Sequence, residues 1–189
     1  MTISKPLNEK FKELEELLVS GKAEQIRARR GVPFIILLYP PEEEIQVRSR
    51  IDTLKRKLET AGWNIQSFQP EPILFKFLES KGKLQDVFEA ERQNPQQLRS
   101  KMAFDLFVKN LTEIGRESIP LSAQAGKTAI FVCRAGGFYP HVNIHSLQEQ
   151  LVNKVKKTTV FFIPAIETEG QEYIFLGKVR TQKYRGYYI

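Results

Sequence analysis

The sequence has one cysteine, two histidines and no long apolar run, and each shortage excludes a class of protein. A single Cys133 cannot form an internal disulfide, so the chain is not a disulfide-stabilised secreted domain. No apolar stretch reaches the ~18 residues that a membrane-spanning helix needs. The first residues also lack the apolar core of a secretory signal. We therefore expect a cytoplasmic protein that has no membrane partner.

Acidic residues are absent from the end of the chain, where basic residues continue. The formal net charge is +7, and four basic residues follow the last acid, Glu172: Lys178, Arg180, Lys183 and Arg185. Such an end can bind phosphate, which makes nucleic acid a candidate partner, or it can be a solvated edge of the fold. The 189 residues suffice for one domain with a sizeable core, and we expect a single domain over residues 1–189.

Helical and extended patterns alternate along the chain, which predicts an α/β fold. Continuous apolar runs at Val32–Tyr39, Ala129–Cys133 and Thr158–Ile163 are typical of strands buried on both faces. A further strand is expected at Trp63–Phe68, and a short last strand at Tyr173–Leu176. Strands joined by helices imply a mainly parallel sheet with helices on both faces.

The spacing of apolar residues predicts which side of each helix faces inward. The first helix and the helix after the first strand each show one apolar stripe: Leu7, Phe11, Leu14 and Leu18, then Val47, Ile51, Leu54 and Leu58. Two helices are expected at 71–81 and 83–92, and a longer one from about Pro95 to Gly115. The inward residues of the longer helix are predicted to be Leu98, Met102, Leu106 and Ile114. Asn143 or Ser146 is expected to cap a helix whose inward side is Ile144, Leu147, Leu151 and Val155.

One short motif resembles a phosphate-binding loop. Ala125-Gly126-Lys127-Thr128 has the ending of such a loop, but Leu121 occupies the place of its first glycine. A phosphate-binding loop also lies between a strand and a helix, whereas a strand follows here. We interpret the motif as a loop that leads into a strand, and we predict no cofactor.

The histidines and the cysteine do not form a recognisable catalytic or metal-binding set. His141 and His145 are four residues apart, but Val142 stands where a zinc protease carries its catalytic glutamate. Cys133 lies inside an apolar run without a motif beside it, which favours a core role. We therefore predict no metal site and no catalytic residues.

A candidate binding site follows the central strand, where Gly136 and Gly137 leave its carboxyl end. Ligands of open α/β sheets bind outside this edge. Three residues and the start of the next helix would line an anion or partner site there: Arg134, Tyr139 and His141. Tyr39 and Glu42 follow another strand and would lie nearby if the strands are parallel. A tight turn that merely requires glycine explains the same motif.

The C-terminal sequence YRGYY mixes aromatic and basic residues. Tyr184, Arg185 and Tyr187 are therefore candidate contacts for a partner or an anion, including nucleic acid bound by stacking and charge. A terminal strand docked on the sheet explains these residues as well.

Several segments together resemble a known family. Val132 to Leu151, VCRAGGFYPHVNIHSLQEQL, passes from a strand through glycine and an aromatic-Pro pair into a helix with repeated leucines. The next strand ends in a proline turn, VFFIPAIETEG, and FLGKVRTQKYRGYYI closes the chain with a Tyr-Arg cluster. With the earlier FIILLYPPEEEIQVRSRI, these motifs cover roughly residues 7–189 and resemble the BrxB family of bacterial BREX phage-defence systems. After the aromatic-Pro pair, where that resemblance leads us to expect an arginine, this chain has His141-Val142-Asn143.

The resemblance implies a context and does not imply a catalytic chemistry. BREX systems methylate host DNA and block phage replication through several proteins, among them a large ATPase, an adenine methyltransferase and the alkaline-phosphatase-like PglZ. A protein similar to BrxB is expected to be a non-enzymatic adaptor that docks a PglZ-like protein or another BREX component. Two alternatives remain: a nucleic-acid-binding accessory that uses the basic tail, and a degenerate nucleotide-binding domain or unrecognised enzyme.

Overall fold

The computed structural model describes residues 5–23, 25–26, 32–93, 101–117, 127–168 and 172–189. Its helices are α1 (Leu7–Val19), α2 (Glu44–Thr60), α3 (Pro70–Ser80), α4 (Leu84–Gln93), α5 (Lys101–Arg116) and α6 (Ile144–Leu151). Its strands are β1 (Phe34–Tyr39), β2 (Asn64–Phe68), β3 (Thr128–Val132), β4 (Thr158–Glu167), β5 (Tyr173–Phe175), β6 (Val179–Thr181) and β7 (Tyr187–Tyr188). Among these residues, no helix is both long enough and apolar enough to cross a membrane.

The sheet is mainly parallel, as the alternation of elements predicted. Its strands lie in the order β2-β3-β4-β1-β7, and each neighbouring pair in this path is parallel. β5 and β6 extend the end of β4 as an antiparallel meander. The α/β class with helices on both faces is therefore confirmed.

The alternation of side chains along β1 divides the core into two layers. Phe34, Ile36 and Leu38 point to one face of the sheet, and the intervening Ile35 and Leu37 point to the other. α1 and α2 cover the face of Ile35, which we call the α1–α2 face. α3, α5 and α6 cover the face of Phe34, which we call the α5–α6 face.

On the α1–α2 face, the predicted helical stripes are buried except at Leu7, which is half-buried. The four predicted residues of α2 are at most 5% exposed, and Phe11, Leu14 and Leu18 of α1 are buried beside them. One polar residue joins this layer: Lys10 is 6% exposed, and its Nζ donates a hydrogen bond to the Leu38 carbonyl oxygen at 2.8 Å. Burial lowers the pKa of Lys10, and the bond ties α1 to the end of β1.

On the α5–α6 face, the predicted inward side of α5 is wrong by one residue position at Met102 and Leu106, whereas Ile114 packs against the core as predicted. Met102 is 59% exposed and Leu106 is half-buried, whereas the buried apolar residues are Ala103, Phe107 and Leu111. The reason is aromatic packing, because the Phe107 ring contacts both Phe68, at 6.1 Å between centroids, and Phe138, at 5.1 Å. These contacts set the rotation of α5. The remaining predicted residue, Leu98, lies outside the described residues.

The prediction that the strand at Tyr173 is the last one is also wrong, because β6 and β7 follow it. β7 pairs in parallel with β1, in the register Ile35 to Tyr187. Gly186 makes this close approach possible: its φ is +150°, and a Cβ there would lie 2.8 Å from the carbonyl oxygen of Phe34. The expected docking of the C-terminus as a strand is therefore confirmed.

Candidate functional site

The carboxyl ends of β1, β2, β3 and β4 meet at one edge of the sheet, because these strands are parallel. Tyr39 and Arg134 both lie at this edge, as expected, with β4 between their strands. Their surroundings differ, however. Tyr39 belongs to the α1–α2 face, whereas the turn that follows Arg134 packs on the α5–α6 face.

Tyr39 forms a short polar chain with two residues of α2. Its ring is 1% exposed, and its hydroxyl donates a hydrogen bond to the Glu44 carboxylate. The same carboxylate accepts a bond from Arg48 Nε at 2.8 Å. Burial, aided by the bond to Glu44, raises the pKa of Tyr39 well above its ordinary value. Glu42 is exposed, so Glu44 provides the carboxylate at this position.

Arg134 is held by Glu71, the second residue of α3. Arg134 Nε and Glu71 Oε2 lie 2.9 Å apart and are both buried, but the N–H is not aimed at the oxygen. The two groups therefore form an ion pair without a good hydrogen bond. Arg134 has φ +56°, a left-handed conformation that is uncommon for a side-chain-bearing residue and turns the chain sharply after β3.

The second glycine of the turn makes room for this ion pair. A Cβ at Gly137 would lie 2.5 Å from Cγ of Glu71, which is closer than any van der Waals contact allows. At Gly136, the nearest atom to such a Cβ would be Cδ2 of Leu176, at 3.2 Å. Gly137 is therefore needed for the approach of α3, so the turn does more than reverse the chain.

A cleft of about 590 Å³ opens beside the Arg134–Glu71 pair, between α3, α4 and the turn. We call it the aromatic cleft, since its lining includes three exposed aromatic side chains, Phe75 (43%), Phe88 (38%) and Tyr139 (44%). The Phe75 and Phe88 rings lie 6.3 Å apart. Leu78 and Val87 add aliphatic surface, and His141 lies at the margin. The structure thus brings Arg134, Tyr139 and His141 together, as predicted.

Comparison with known protein families identifies the family of this chain. The family model described as BREX protein BrxB matches residues 68–188, which is most of the chain. The chain belongs to the BrxB family. It is therefore a component of a BREX phage-defence system. No curated protein and no solved structure matches it.

The matched range contains some elements of this BrxB-family chain and leaves out others. It contains both sides of the aromatic cleft, from Glu71 to His141, and all residues of β5, β6 and β7. It leaves out α1, β1 and α2, and with them Tyr39, Glu42 and Glu44. The similarity noted for FIILLYPPEEEIQVRSRI lies outside the match, so the family assignment depends on the later segments.

The tail residues are divided between the two faces. Tyr184 is 3% exposed and packs with Tyr173 on the α5–α6 face, and burial raises its pKa to about 12. It also lines a smaller cavity of about 210 Å³, on the other side of the Tyr139-Pro140-His141 turn. Tyr187 is half-buried beside α1. Their role as partner contacts remains a prediction, and Tyr184 has a clear packing role.

The basic residues of the tail mostly have neighbours of their own. Arg185 Nη1 lies 3.1 Å from the Glu149 carboxylate, and Arg180 lies 3.7 Å from that of Glu172. The Lys183 ammonium is 5.0 Å from the centre of the Tyr188 ring. These contacts reduce the charge that the tail presents to phosphate.

The remaining motifs are occupied by structural contacts. Lys127 Nζ donates to the Ala61 carbonyl oxygen at 3.1 Å, and β3 begins at Thr128, so a strand follows the phosphate-loop-like motif. Ala125 and Gly126 lie outside the described residues. Cys133 is buried, which raises its pKa to about 12 and keeps it as a thiol at neutral pH. Within the described residues, no cluster of three or more His, Cys, Asp or Glu side chains could hold a metal ion.

Four residues that form part of this region were not predicted from the sequence: Glu44, Glu71, Phe75 and Phe88. A signal existed for Glu44, because its spacing to Arg48 is that of a helical ion pair. No local signal existed for the pairing of Glu71 with Arg134, since the two are far apart in the chain. Phe75 and Phe88 are apolar residues of helices, and only the packing of α4 leaves them exposed.

Proposed function

We propose that this BrxB-family chain is a non-enzymatic adaptor that docks a PglZ-like protein within its BREX system. The observation that carries the proposal is the exposure of Phe75, Phe88 and Tyr139 around one concave surface. Aromatic residues are enriched in protein interfaces, and exposed apolar patches on a folded domain often mark binding sites. The cleft also lies within the range matched by the family.

The state of the polar groups at the sheet edge supports a binding role over a catalytic one. A general base or nucleophile needs access to the substrate and a protonation state suited to its reaction. Tyr39 is buried and bonded to Glu44, and Glu71 is paired with Arg134. The Cys133 thiol is buried and protonated at neutral pH. Within the described residues these groups stabilise the edge and do not form an acid–base pair.

Co-expression with the PglZ-like protein of the same system tests the proposal. We expect the two proteins to elute together in size-exclusion chromatography at micromolar concentration, in low and in moderate salt, because apolar contacts depend little on ionic strength. The other BREX components, expressed singly with the chain, serve as comparisons. Separate elution from the PglZ-like protein at both salt concentrations would contradict this proposal.

A further inference from the structure

α4 presents an apolar stripe that the described residues cover only in part. Leu84, Val87 and Phe88 recur at helical spacing, yet no residue of α4 is fully buried. The stripe faces α3 across the aromatic cleft, where Val87 and Phe88 lie opposite Phe75 and Leu78. Most amphipathic helices are stabilised by burial of their apolar face. α4 therefore has surface that a bound segment would bury.

Two charged groups of opposite sign border this apolar surface. The terminal nitrogens of Arg134 have no partner within the described residues, since its contact with Glu71 is made through Nε. Glu91 on α4 also lines the cleft, and no described cation pairs with it. The turn thus presents the open edge of a guanidinium group that already pairs with Glu71, and α4 presents a carboxylate that no described cation pairs with, beside aromatic side chains of the same cleft.

We propose that the aromatic cleft binds a segment of the PglZ-like partner that combines a large apolar side chain with one acidic and one basic residue. The apolar side chain packs on Phe75 and Phe88, the acid pairs with Arg134, and the base pairs with Glu91. The apolar anchor supplies most of the affinity, and the two charges fix the direction in which the segment lies. This inference depends on the adaptor function proposed above, and it identifies the docking surface.

The first experiment maps the contact in the complex of the full chain with its PglZ-like partner. A Phe88→p-benzoyl-phenylalanine variant is irradiated, and the cross-linked partner segment is identified by mass spectrometry. We expect a segment with a large apolar residue and both an acid and a base within a few positions. Cross-linking to a segment without this composition, or to none, would overturn the inference.

Two pairs of variants measure how each part of the cleft contributes. Phe88→Ser is expected to weaken the complex by at least about ten-fold, the scale of a truncated aromatic anchor. Glu91→Lys is expected to weaken it about five-fold, as a reversed charge at an interface does. The controls are Ile45→Ser, at an exposed residue of α2, and Glu89→Lys, at an exposed glutamate of α4 outside the cleft lining. Equal effects of the variants and their controls would contradict the assignment.

A second measurement does not require the complex. The isotope-labelled chain is titrated with a synthetic peptide that places phenylalanine between aspartate and lysine, and with a peptide in which serine replaces both charged residues. We expect saturable amide shifts at Phe75, Phe88 and Tyr139, with about five-fold weaker binding of the uncharged peptide. No saturable shift at millimolar peptide, or equal binding of both peptides, would overturn the inference.

The two measurements separate failure of the inference from failure of the proposed function. If the complex forms but Phe88 and Glu91 do not contribute to it, the adaptor function stands and the cleft assignment is wrong. If the peptide binds in the cleft but the PglZ-like protein elutes separately, the cleft recognises the stated chemistry and the proposed partner is wrong.

Discussion

The two faces of the sheet differ in how completely their helices cover them. On the α1–α2 face, two helices with regular apolar stripes cover the core and leave a groove of about 1370 Å³ between them. Lys57 pairs with Glu15 across this groove at 2.9 Å. On the α5–α6 face, the core is richer in aromatic side chains. There α4 stands partly away from the core, so Phe75 and Phe88 remain exposed.

The family match also falls unevenly on the two faces. The range matched by the BrxB family begins at Phe68, so it omits the helices of the α1–α2 face and includes all helices of the other face. The exposed aromatic surface around the cleft therefore lies within the matched range, whereas the exposed Val19 and Ile45 lie outside it. The α1–α2 face completes the sheet, and we expect the α5–α6 face to carry the interaction.

The largest expected effect tests the packing of the α5–α6 face. Phe107→Ala removes a buried ring that contacts Phe68 and Phe138, so the free energy of unfolding should fall by about 3–5 kcal/mol. Met102→Ala is the matched control on the same helix, because Met102 is 59% exposed, and it should change stability by less than about 0.5 kcal/mol. Urea denaturation measures both. A larger loss for Met102→Ala would show that α5 has the rotation predicted from its apolar spacing.

The α1–α2 face was the more predictable of the two, for a physical reason. Val47, Ile51, Leu54 and Leu58 form one regular stripe, and Ile45 in the first turn is the one long aliphatic residue of α2 outside it, so periodicity alone identifies the buried side. In α5, apolar residues occur on several sides of the helix. Phe107 then fixes the rotation through contacts with Phe68 and Phe138, which periodicity cannot reveal.

The candidate site was predictable where it follows from topology or from closeness in the chain. Parallel strands bring the residues after their carboxyl ends to one edge, which is why Tyr39 and Arg134 lie at the same edge. Tyr139 and His141 follow Arg134 in the same turn, so their closeness to it is local. The partner of Arg134 was not predictable, since Glu71 reaches it through the packing of α3 against Gly137. Contacts between residues so far apart in the chain can be predicted only from the fold, because the local sequence does not indicate them.

A change in stability of intermediate size is expected at alkaline pH. There the ionisation of Tyr184 tests whether the C-terminal tail is packed on the α5–α6 face. Burial raises its pKa from 10.0 to about 12, so above pH 10 the unfolded chain loses this proton while the folded chain keeps it. Stability should therefore fall as pH rises, by about 2 kcal/mol between pH 10 and pH 12 for this residue. Tyr184→Phe should remove that part of the loss, as measured by urea denaturation across this range.

The exposed Tyr139 provides the control for the alkaline experiment. Tyr139→Phe removes the same group from a ring that is 44% exposed, and it should change the free energy of unfolding by less than about 0.5 kcal/mol. A parallel decline of the wild-type chain and the Tyr184→Phe variant between pH 10 and pH 12 would mean that Tyr184 is not buried in solution. The tail would then not be part of the α5–α6 core.

The smallest effect is expected for binding of duplex DNA by the basic tail, which connects the two faces. Because carboxylates pair with Arg180 and Arg185, no more than two phosphates should be neutralised there. Log affinity should then fall with log salt at a slope no steeper than about −1.8, instead of about −3.6 for four phosphates.

Fluorescence anisotropy measures the slope for the wild-type chain and for a variant with alanine at Lys178, Arg180, Lys183 and Arg185. A second variant with alanine at Lys12, Lys22, Arg50 and Arg56 removes the same charge from the α1–α2 face. A steep slope that only the tail variant flattens would assign nucleic-acid binding to the tail, and recognition would then not be confined to the aromatic cleft.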